Sequence, residues 1–407
     1  MRFHVLHSPL GTLLAYHLRQ TLPSNHAVSL VSTHRDVVQG QAIPNNVVRL
    51  EHSGVIMSAR NVDFEFLDPG RRSSGEASRT SNNETPPAEG GGSKLIESLI
   101  VTVPPTATRP TLHSLIHRLS PRSTIVLMQT GLGVYEKLIT SLFPNPARRP
   151  HFVIASPRHG VWLKRPNHVV HTLPGSIDFS IMPDPRGRDF EAVLRSSNIP
   201  SSSRGLKLTD IASKFNDPKF EEYATLRNTV AVLSRMDELN VTWLPMEEGE
   251  IVFRRDLVVR AVTDALAVAL GLRNGELLST NSSRKLAEDL ILEIHGAFRK
   301  QWFREICSQL PSENRDRKFR PIPPLPKGLG RRALMGELVR HLFVTKELRA
   351  PMLGDIQMGA PTQVRYGLGY LYAIGRAYEF PMPTTSALLR TIMARESIGK
   401  PSKYVKT

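Results

Sequence analysis

Residues 2–20 read RFHVLHSPLGTLLAYHLRQ, and within this stretch a short apolar run gives way to a helical pattern. Phe3–Leu6 is typical of a short buried strand, whereas Leu13–Gln20 repeats its apolar residues with the period of a helix. Further strands are predicted at residues 28–31, 99–103, 124–128, 152–155 and 169–173, with another helix at 111–119. Continuous apolar strands separated by helices favour a parallel sheet buried on both faces. We therefore predict an open, doubly wound α/β domain in the first half of the chain.

The pattern changes after about Pro245 to long amphipathic helices. Arg254–Leu272 places its apolar side chains on one broad stripe, and Leu286–Trp302 and Gly336–Leu348 show the same period. We predict an α/β domain over residues 1–246 and an all-helical domain over residues 247–400. Residues 70–94, GRRSSGEASRTSNNETPPAEGGGSK, have no apolar period and are predicted to be a disordered insertion in the first domain.

The charge of the 407-residue chain bears on its partners. The formal net charge is +16, which suits a polyanion such as RNA, a ribosome or an anionic membrane face, and equally a basic organelle protein without such a ligand. Residues 299–332 are rich in Arg and Lys and include Trp302 and Phe319. They are the predicted contact region for RNA or a ribosome. The alternative is a solvated basic loop.

The N-terminus and the single cysteine bear on location. The first acidic residue is Asp36, and Arg2, Arg19 and Arg35 precede it, as in mitochondrial import segments. Cys307 has no second cysteine to pair with, which favours a reducing compartment. No run of eighteen apolar residues occurs, so no membrane span is expected. We predict a mitochondrial location, with the cytoplasm as the alternative.

The turn after the first strand stands where the dinucleotide fingerprint G-x-G-x-x-G would lie. Its last glycine, Gly11, is present, whereas Leu6 and Ser8 occupy the first two glycine positions. Side chains there obstruct both the tight turn and the approach of the backbone to a pyrophosphate, and Pro9 removes an amide donor. We therefore predict that NADP binding is weak or lost.

Four residues remain candidates for cofactor contacts at this end of the sheet. Ser8 and Gly11 lie in the turn, and Thr12 could face a phosphate at the helix N-terminus. Arg35 follows the second predicted strand, where an arginine can hold the 2′-phosphate of NADP. The alternative for Arg35 is a solvated surface side chain.

Several segments resemble the ketopantoate reductase (2-dehydropantoate 2-reductase) family. Leu270–Leu277, LGLRNGEL, is similar to the family segment G-x-x-N-G-E-L, and Ser123–Gly133, STIVLMQTGLG, is similar to V-V-L-x-Q-N-G-x-G. Met352–Asp355 and Gly369–Leu371, followed by Pro383, match the last block. The resemblance spans nearly the whole chain and implies a Rossmann-like NADP-binding-type domain followed by a helical domain like the C-terminal domain of 6-phosphogluconate dehydrogenase. It also implies NADPH-dependent reduction of a 2-oxo acid, and a homodimer is a further prediction.

The same resemblance shows that the chemistry-bearing positions have changed. The family's proton-donating lysine lies eighteen residues before the asparagine of N-G-E-L, and Asp256 stands at that position. A carboxylate there would be anionic near neutral pH and would repel an acid substrate. Other family positions are also replaced. On the substrate side, Arg260 and Asp264 stand for two asparagines, Gln363 for a glutamate and Pro351 for a serine. On the cofactor side, Thr130 stands for the asparagine of Q-N-G and remains a candidate for cofactor contacts. Asn274 keeps its family identity as a substrate-binding candidate.

The substituted helix suggests a replacement for the lost chemistry. Asp256, Arg260 and Asp264 are spaced four residues apart, so they lie on one helix face and could form two ion pairs. The alternative is three ordinary surface charges. The fourteen histidines show no strong metal-ligand spacing, so no metal is predicted.

Three functions remain open from the sequence. The first is a catalytically inactive relative that keeps the scaffold for protein or RNA contacts in mitochondrial gene expression. The second is an active NADP-dependent 2-dehydropantoate 2-reductase, or a reductase of a related 2-oxo acid. The third is a module that senses NADP without turnover.

Overall fold

The computed structural model describes residues 1–33, 46–67, 95–129, 132–195, 205–309 and 324–398. The chain separates into two compact units. The first unit holds residues 1–129 and 136–246, and the second holds residues 130–135 and everything from Glu247 onward. Arg35, Thr130 and the insertion predicted at 70–94 lie outside the described residues, as do residues 310–323 of the basic region.

The first unit contains two sheets and short helices. Its strands are β1 Arg2–Leu6, β2 Ala27–Ser32, β3 Val48–His52, β4 Val55–Ala59, β5 Val62–Phe66, β6 Ser98–Val101, β7 Thr124–Leu127, β8 His151–Pro157, β9 Gly160–Arg165, β10 His168–Leu173, β11 Ile177–Ile181 and β12 Val241–Trp243. Its helices are α1 Pro9–Thr21, α2 Pro105–Leu115, α3 Val134–Ser141, which crosses a unit boundary, α4 Ala192–Arg195, α5 Leu208–Ile211 and α6 Phe220–Leu233.

The larger sheet has eight strands in the order β12-β11-β8-β7-β6-β1-β2-β5. Neighbours from β8 to β5 are parallel, whereas β11 runs antiparallel to β8. Central strands such as β6, β7 and β8 are buried along their whole length, as a sheet covered on both faces requires. The predicted Rossmann-like sheet is confirmed.

One predicted strand belongs elsewhere. Residues 168–173 form β10 in a separate four-stranded sheet of order β4-β3-β10-β9. β10 pairs antiparallel with β9 and parallel with β3. The expectation that this run joins the main parallel sheet is therefore wrong, because the short turn at Asn167 folds β10 back onto β9. Helix α1 contacts strands of both sheets, and residues 11–18 are all buried.

The second unit is helical. Its helices are α7 Met246–Leu270, α8 Asn281–Gln309, α9 Arg331–Val344, α10 Pro351–Gln357, α11 Leu368–Ala377 and α12 Pro383–Ile398. Apolar residues of α7 and α8 form the centre of its core with residues from α9 to α12. Helix α7 ends where Gly271 adopts a positive φ of 72°, the conformation in which glycine commonly terminates helices. No described helix is long and apolar enough to cross a membrane.

Candidate functional site

The turn between β1 and α1 is closed by its own side chains. The Oγ of Ser8 accepts a hydrogen bond from the Gly11 amide at 2.9 Å, and its hydroxyl donates to Thr102 Oγ1 at 2.9 Å. Thr102 Oγ1 in turn donates to the carbonyl of Leu6 at 2.6 Å. Ser8 is therefore the N-cap of α1, and it satisfies an amide that an anion at this terminus would otherwise approach.

Gly11 is required by close packing. A Cβ at this position would lie 2.1 Å from the carbonyl oxygen of Leu6 and 2.7 Å from Thr102 Oγ1. The helix consequently approaches the strand at a distance that only glycine allows, which is the packing role of the last fingerprint glycine.

The remaining first-turn residues offer little to a phosphate. Thr12 is fully buried, and its hydroxyl donates to the Ser8 carbonyl at 2.9 Å. The expectation that Thr12 faces a phosphate is not met, because the hydroxyl turns back into the first helical turn. Pro9 has no N–H, and the amide of His7 donates to the Val31 carbonyl at 2.8 Å. These residues do not form the open cradle of amides that fits a pyrophosphate.

In the second unit, the α7 residues at the family's substrate positions interact with α9 and α10. Asp256 is only 5 % exposed, so it is not an ordinary surface charge. Its carboxylate and the Arg260 guanidinium both act on His341 of α9. Asp264, one turn further along, accepts a hydrogen bond from the backbone of Met352 in α10. The α7 face thus interacts with groups from two other helices.

Burial sets the protonation of this cluster. It raises the pKa of Asp264 to about 7. The Arg260 charge and the Met352 amide lower this pKa, whereas the carboxylate of Asp355 raises it. Burial also lowers the pKa of His341 to about 4, and the Arg260 charge lowers that pKa further, whereas Asp256 raises it. Near neutral pH the imidazole is therefore uncharged, and Asp264 is partly protonated.

The N-G-E-L segment docks on the loop that follows α9. Asn274 is 4 % exposed, and its Nδ2 donates to Thr345 Oγ1 at 2.9 Å. The amide of Gly275 donates to the Lys346 carbonyl at 3.1 Å, and a Cβ on Gly275 would lie 2.8 Å from Lys346 Cβ. The retained motif therefore holds two segments together. Asn274 Oδ1 is buried without a hydrogen-bond partner among the described residues, so this acceptor could serve a ligand.

Gly133, in the segment that resembles V-V-L-x-Q-N-G-x-G, packs closely against Tyr370. Gly133 has a φ of 89°, and a Cβ there would lie 2.8 Å from ring carbons of Tyr370. The two motif segments that contain these residues are thus in contact within the second unit. Pro351 is exposed at the first turn of α10, and the Gln363 backbone carbonyl accepts the Tyr366 amide at 2.9 Å.

Sequence reasoning missed several of the partners. Thr102 lies 94 residues from Ser8, and His341 joins the α7 cluster only through helix packing, so neither carried a local signal. Asp355 could have been found, because it ends the Met352–Asp355 segment that matches the family.

Comparisons with known proteins agree with the fold. The family models "Ketopantoate reductase PanE/ApbA" and "Ketopantoate reductase PanE/ApbA C terminal" match residues 10–184 and 254–396. A Schizosaccharomyces pombe protein named "Probable 2-dehydropantoate 2-reductase" is 22 % identical over 291 residues, which cover 72 % of this chain and 70 % of that protein.

Solved structures show the same architecture. A D-mandelate dehydrogenase, solved as a ternary complex with NADH and anilino(oxo)acetate, aligns with a TM-score of 0.65 at 13 % identity, covering 98 % of this chain and 99 % of that one. A dimeric ketopantoate reductase from Staphylococcus aureus aligns with a TM-score of 0.58 at 12 % identity, covering 98 % and 100 %. These likenesses establish the fold. With two family models matching most of its length, the chain belongs to the ketopantoate reductase family.

Proposed function

We propose that this chain is a catalytically silent member of the family, in which the scaffold persists without 2-oxo acid reduction. The observation that carries the proposal is the buried Asp256 at the position of the family's lysine. A carboxylate supplies no positive charge to attract an acid substrate, and in its ionised form it has no proton to donate to the forming hydroxyl.

Two neighbouring groups do not replace the lysine. Because burial holds the pKa of His341 at about 4, its imidazole carries no proton to give at neutral pH. Arg260 keeps its proton, because the pKa of a guanidinium exceeds about 12. The charges that act on His341 are those of Arg260 and Arg340 against Asp256 and Glu337. Such a balanced group is a poor receptor for an anion.

Asp264 favours the second candidate function, an NADP-dependent 2-dehydropantoate 2-reductase or a reductase of a related 2-oxo acid. A carboxyl group whose pKa lies at about 7 is protonated in part of the molecules at neutral pH and could protonate an alkoxide. The name of the S. pombe relative points the same way. On this second function, Asp264→Asn abolishes turnover while NADPH binding persists.

The cofactor proposal rests on Ser8. We expect weak or no NADPH binding, because the Ser8 side chain already occupies the Gly11 amide. Ser8→Gly restores the second fingerprint glycine and removes that cap, so it should increase NADPH affinity. Asn145→Gly is the matched control, since the Asn145 side chain likewise caps a turn by accepting from the Ala147 amide at 3.0 Å, at a place unrelated to the fingerprint.

A calorimetric NADPH titration followed by assays with 2-oxo acids separates the three functions. No saturable binding at millimolar cofactor supports the silent scaffold. Saturable binding without oxidation of NADPH by any 2-oxo acid identifies a sensing module. Ketopantoate-dependent oxidation identifies an active reductase and overturns the proposal.

The partners of the silent scaffold are proposed from charge. The described cations of the basic region are exposed: Arg299, Lys300, Arg304, Lys327, Arg331 and Arg332. We propose that they contact RNA or a ribosome in mitochondria. Crosslinking to RNA should fall steeply as the salt concentration is raised. Lys300→Glu should weaken the crosslinking, and unchanged crosslinking of that variant would contradict the assignment.

We also propose that the chain forms a homodimer, as the dimeric S. aureus relative does. Sedimentation velocity tests this proposal.

A further inference from the structure

An exposed apolar surface lies at the C-terminal end of α9 and in the segment that follows. Val339, Phe343 and Val344 are 43 %, 72 % and 53 % exposed, and Leu348 is 41 % exposed. Val339 and Phe343 are one helical turn apart and so are neighbours on the outer face. The core side of the same helix is formed by Leu334, Leu338 and Leu342. The outer apolar side chains are therefore additional to those that the fold needs.

Lys346 lies beside one of these side chains, and further exposed cations occur on the same helix and the segments next to it. The Nζ of Lys346 lies 6.0 Å from the centre of the Phe343 ring. The Arg340 side chain is 64 % exposed and that of Arg273 is 52 % exposed. Arg332 and Arg349 are exposed on the same stretch of chain. Glu337 and Glu347 pair with Arg340 and Arg273, and the Glu276 carboxylate accepts from the Arg273 amide. Five cations therefore stand with three carboxylates, and this part of the chain is net positive.

The surface has a fixed shape. The carbonyl of Lys346 accepts the Gly275 amide at 3.1 Å, and the carbonyl of Leu348 accepts the Asn274 amide at 3.0 Å. These bonds hold the segment after α9 against the N-G-E-L motif. The backbone of Lys346 and Leu348 is thereby held in place next to the end of α9, beside Phe343.

The chemistry selects one kind of partner. A symmetric contact with a second copy would oppose two net-positive surfaces, which repel each other. A nucleic acid would form no favourable contact with Val339, Val344 and Leu348, because aliphatic side chains do not stack on bases as aromatic rings do. Exposed apolar side chains next to lysine and arginine match the boundary between acyl chains and anionic headgroups.

We propose that Val339, Arg340, Phe343, Val344, Lys346 and Leu348 form a docking surface for an anionic lipid bilayer. Phe343 and its aliphatic neighbours enter the headgroup boundary, and the cations contact lipid phosphates. The apolar side chains of this surface and Lys346 belong neither to the cofactor turn nor to the α7 cluster, so the inference stands whether or not the chain reduces a 2-oxo acid.

Vesicle flotation of the full chain tests the proposal. The probes are phosphatidylcholine vesicles with about 30 % phosphatidylglycerol and vesicles of phosphatidylcholine alone. We expect flotation only with the anionic vesicles, and a decrease as KCl is raised. Phe343→Glu should weaken binding about tenfold or more, and Lys346→Ala should weaken it about fivefold. Phe215→Glu is the matched control, since Phe215 is 93 % exposed in the first unit, and it should bind as the unchanged chain does.

Several results would overturn the proposal. Equal flotation with neutral vesicles, or unchanged flotation of Phe343→Glu, removes the lipid surface. A dimer that Phe343→Glu dissociates, without an effect on flotation, assigns the surface to a second copy. Loss of RNA binding in Phe343→Glu with flotation unchanged assigns it to nucleic acid. Unaltered melting of each variant by circular dichroism shows that binding, and not folding, has changed.

Discussion

Asp264 is the residue whose replacement should change the second unit in a pH-dependent way. Burial raises the pKa of its carboxyl to about 7, whereas an unfolded aspartate has a pKa of about 4. Between these values the folded chain holds a proton that the unfolded chain has released. The free energy of unfolding therefore decreases as the pH rises through this window. Asp264→Asn restores the family's residue, abolishes the titration and keeps an oxygen that can accept from Met352.

The size of the effect follows from the displaced pKa. Each pKa unit corresponds to about 1.4 kcal/mol, so a shift from 3.8 to about 7 has an upper bound of about 4 kcal/mol above pH 7. Asp264 is half-buried, and solvent screens part of this energy. We expect Asp264→Asn to raise the free energy of unfolding by about 1–2 kcal/mol at pH 8 and to change it little near pH 4.

Urea unfolding followed by hydrogen exchange of α7 and α10 peptides reports this change in the second unit. Glu347→Gln is the control, because Glu347 is an exposed carboxylate in the same unit, with its side chain 76 % exposed. It should alter the free energy of unfolding by less than about 0.5 kcal/mol at either pH. A destabilised Asp264→Asn at pH 8, or the same gain at pH 4 and pH 8, would refute the reasoning.

Two further predictions concern the first unit. Gly11→Ala should lower its free energy of unfolding by about 2 kcal/mol or more, because the new Cβ would lie 2.1 Å from the Leu6 carbonyl oxygen. Thermal melting checks this against Gly205→Ala, where a Cβ meets nothing within 4 Å, and equal melting of the two variants would count against it. Acid should also destabilise this unit, because burial first and neighbouring imidazoles second lower the pKa of His17 and His171 to about 4. The unfolded chain then binds more protons between about pH 4 and 6.5, so stability is lost as the pH falls through that range, and a melting temperature that is the same at pH 7 and pH 5 would disprove it.

The sequence predicted those parts of the fold that local patterns determine. The strand, turn and helix at residues 2–21 follow from apolar period and from Gly11, and the long helices follow from their stripes. The smaller sheet was missed, because the period of residues 168–173 is the same whether their partner is β9 or a strand of the main sheet. Pairing depends on neighbours that are distant in sequence, as with β3 and β10.

The candidate site shows a similar division. At three glycines of the family segments, Gly11, Gly133 and Gly275, a Cβ would meet another atom within 3 Å. Packing therefore explains their retention without any catalytic demand. The residues that Asp256 and Asp264 interact with, such as His341 and Met352, are brought to them by helix packing. The Ser8–Thr102 bond likewise joins residues far apart in the chain. The sequence located the substituted family positions but did not show which residues their side chains contact.

The silent-scaffold proposal is decided by NADPH oxidation with ketopantoate and purified full-length chain. With millimolar NADPH and ketopantoate, we expect no oxidation above that of a sample without protein, because Asp256 stands where the proton donor of the family lies. Conversion of ketopantoate to pantoate at about 1 per second or faster would show that the reductase reaction survives, and the proposal would then be wrong.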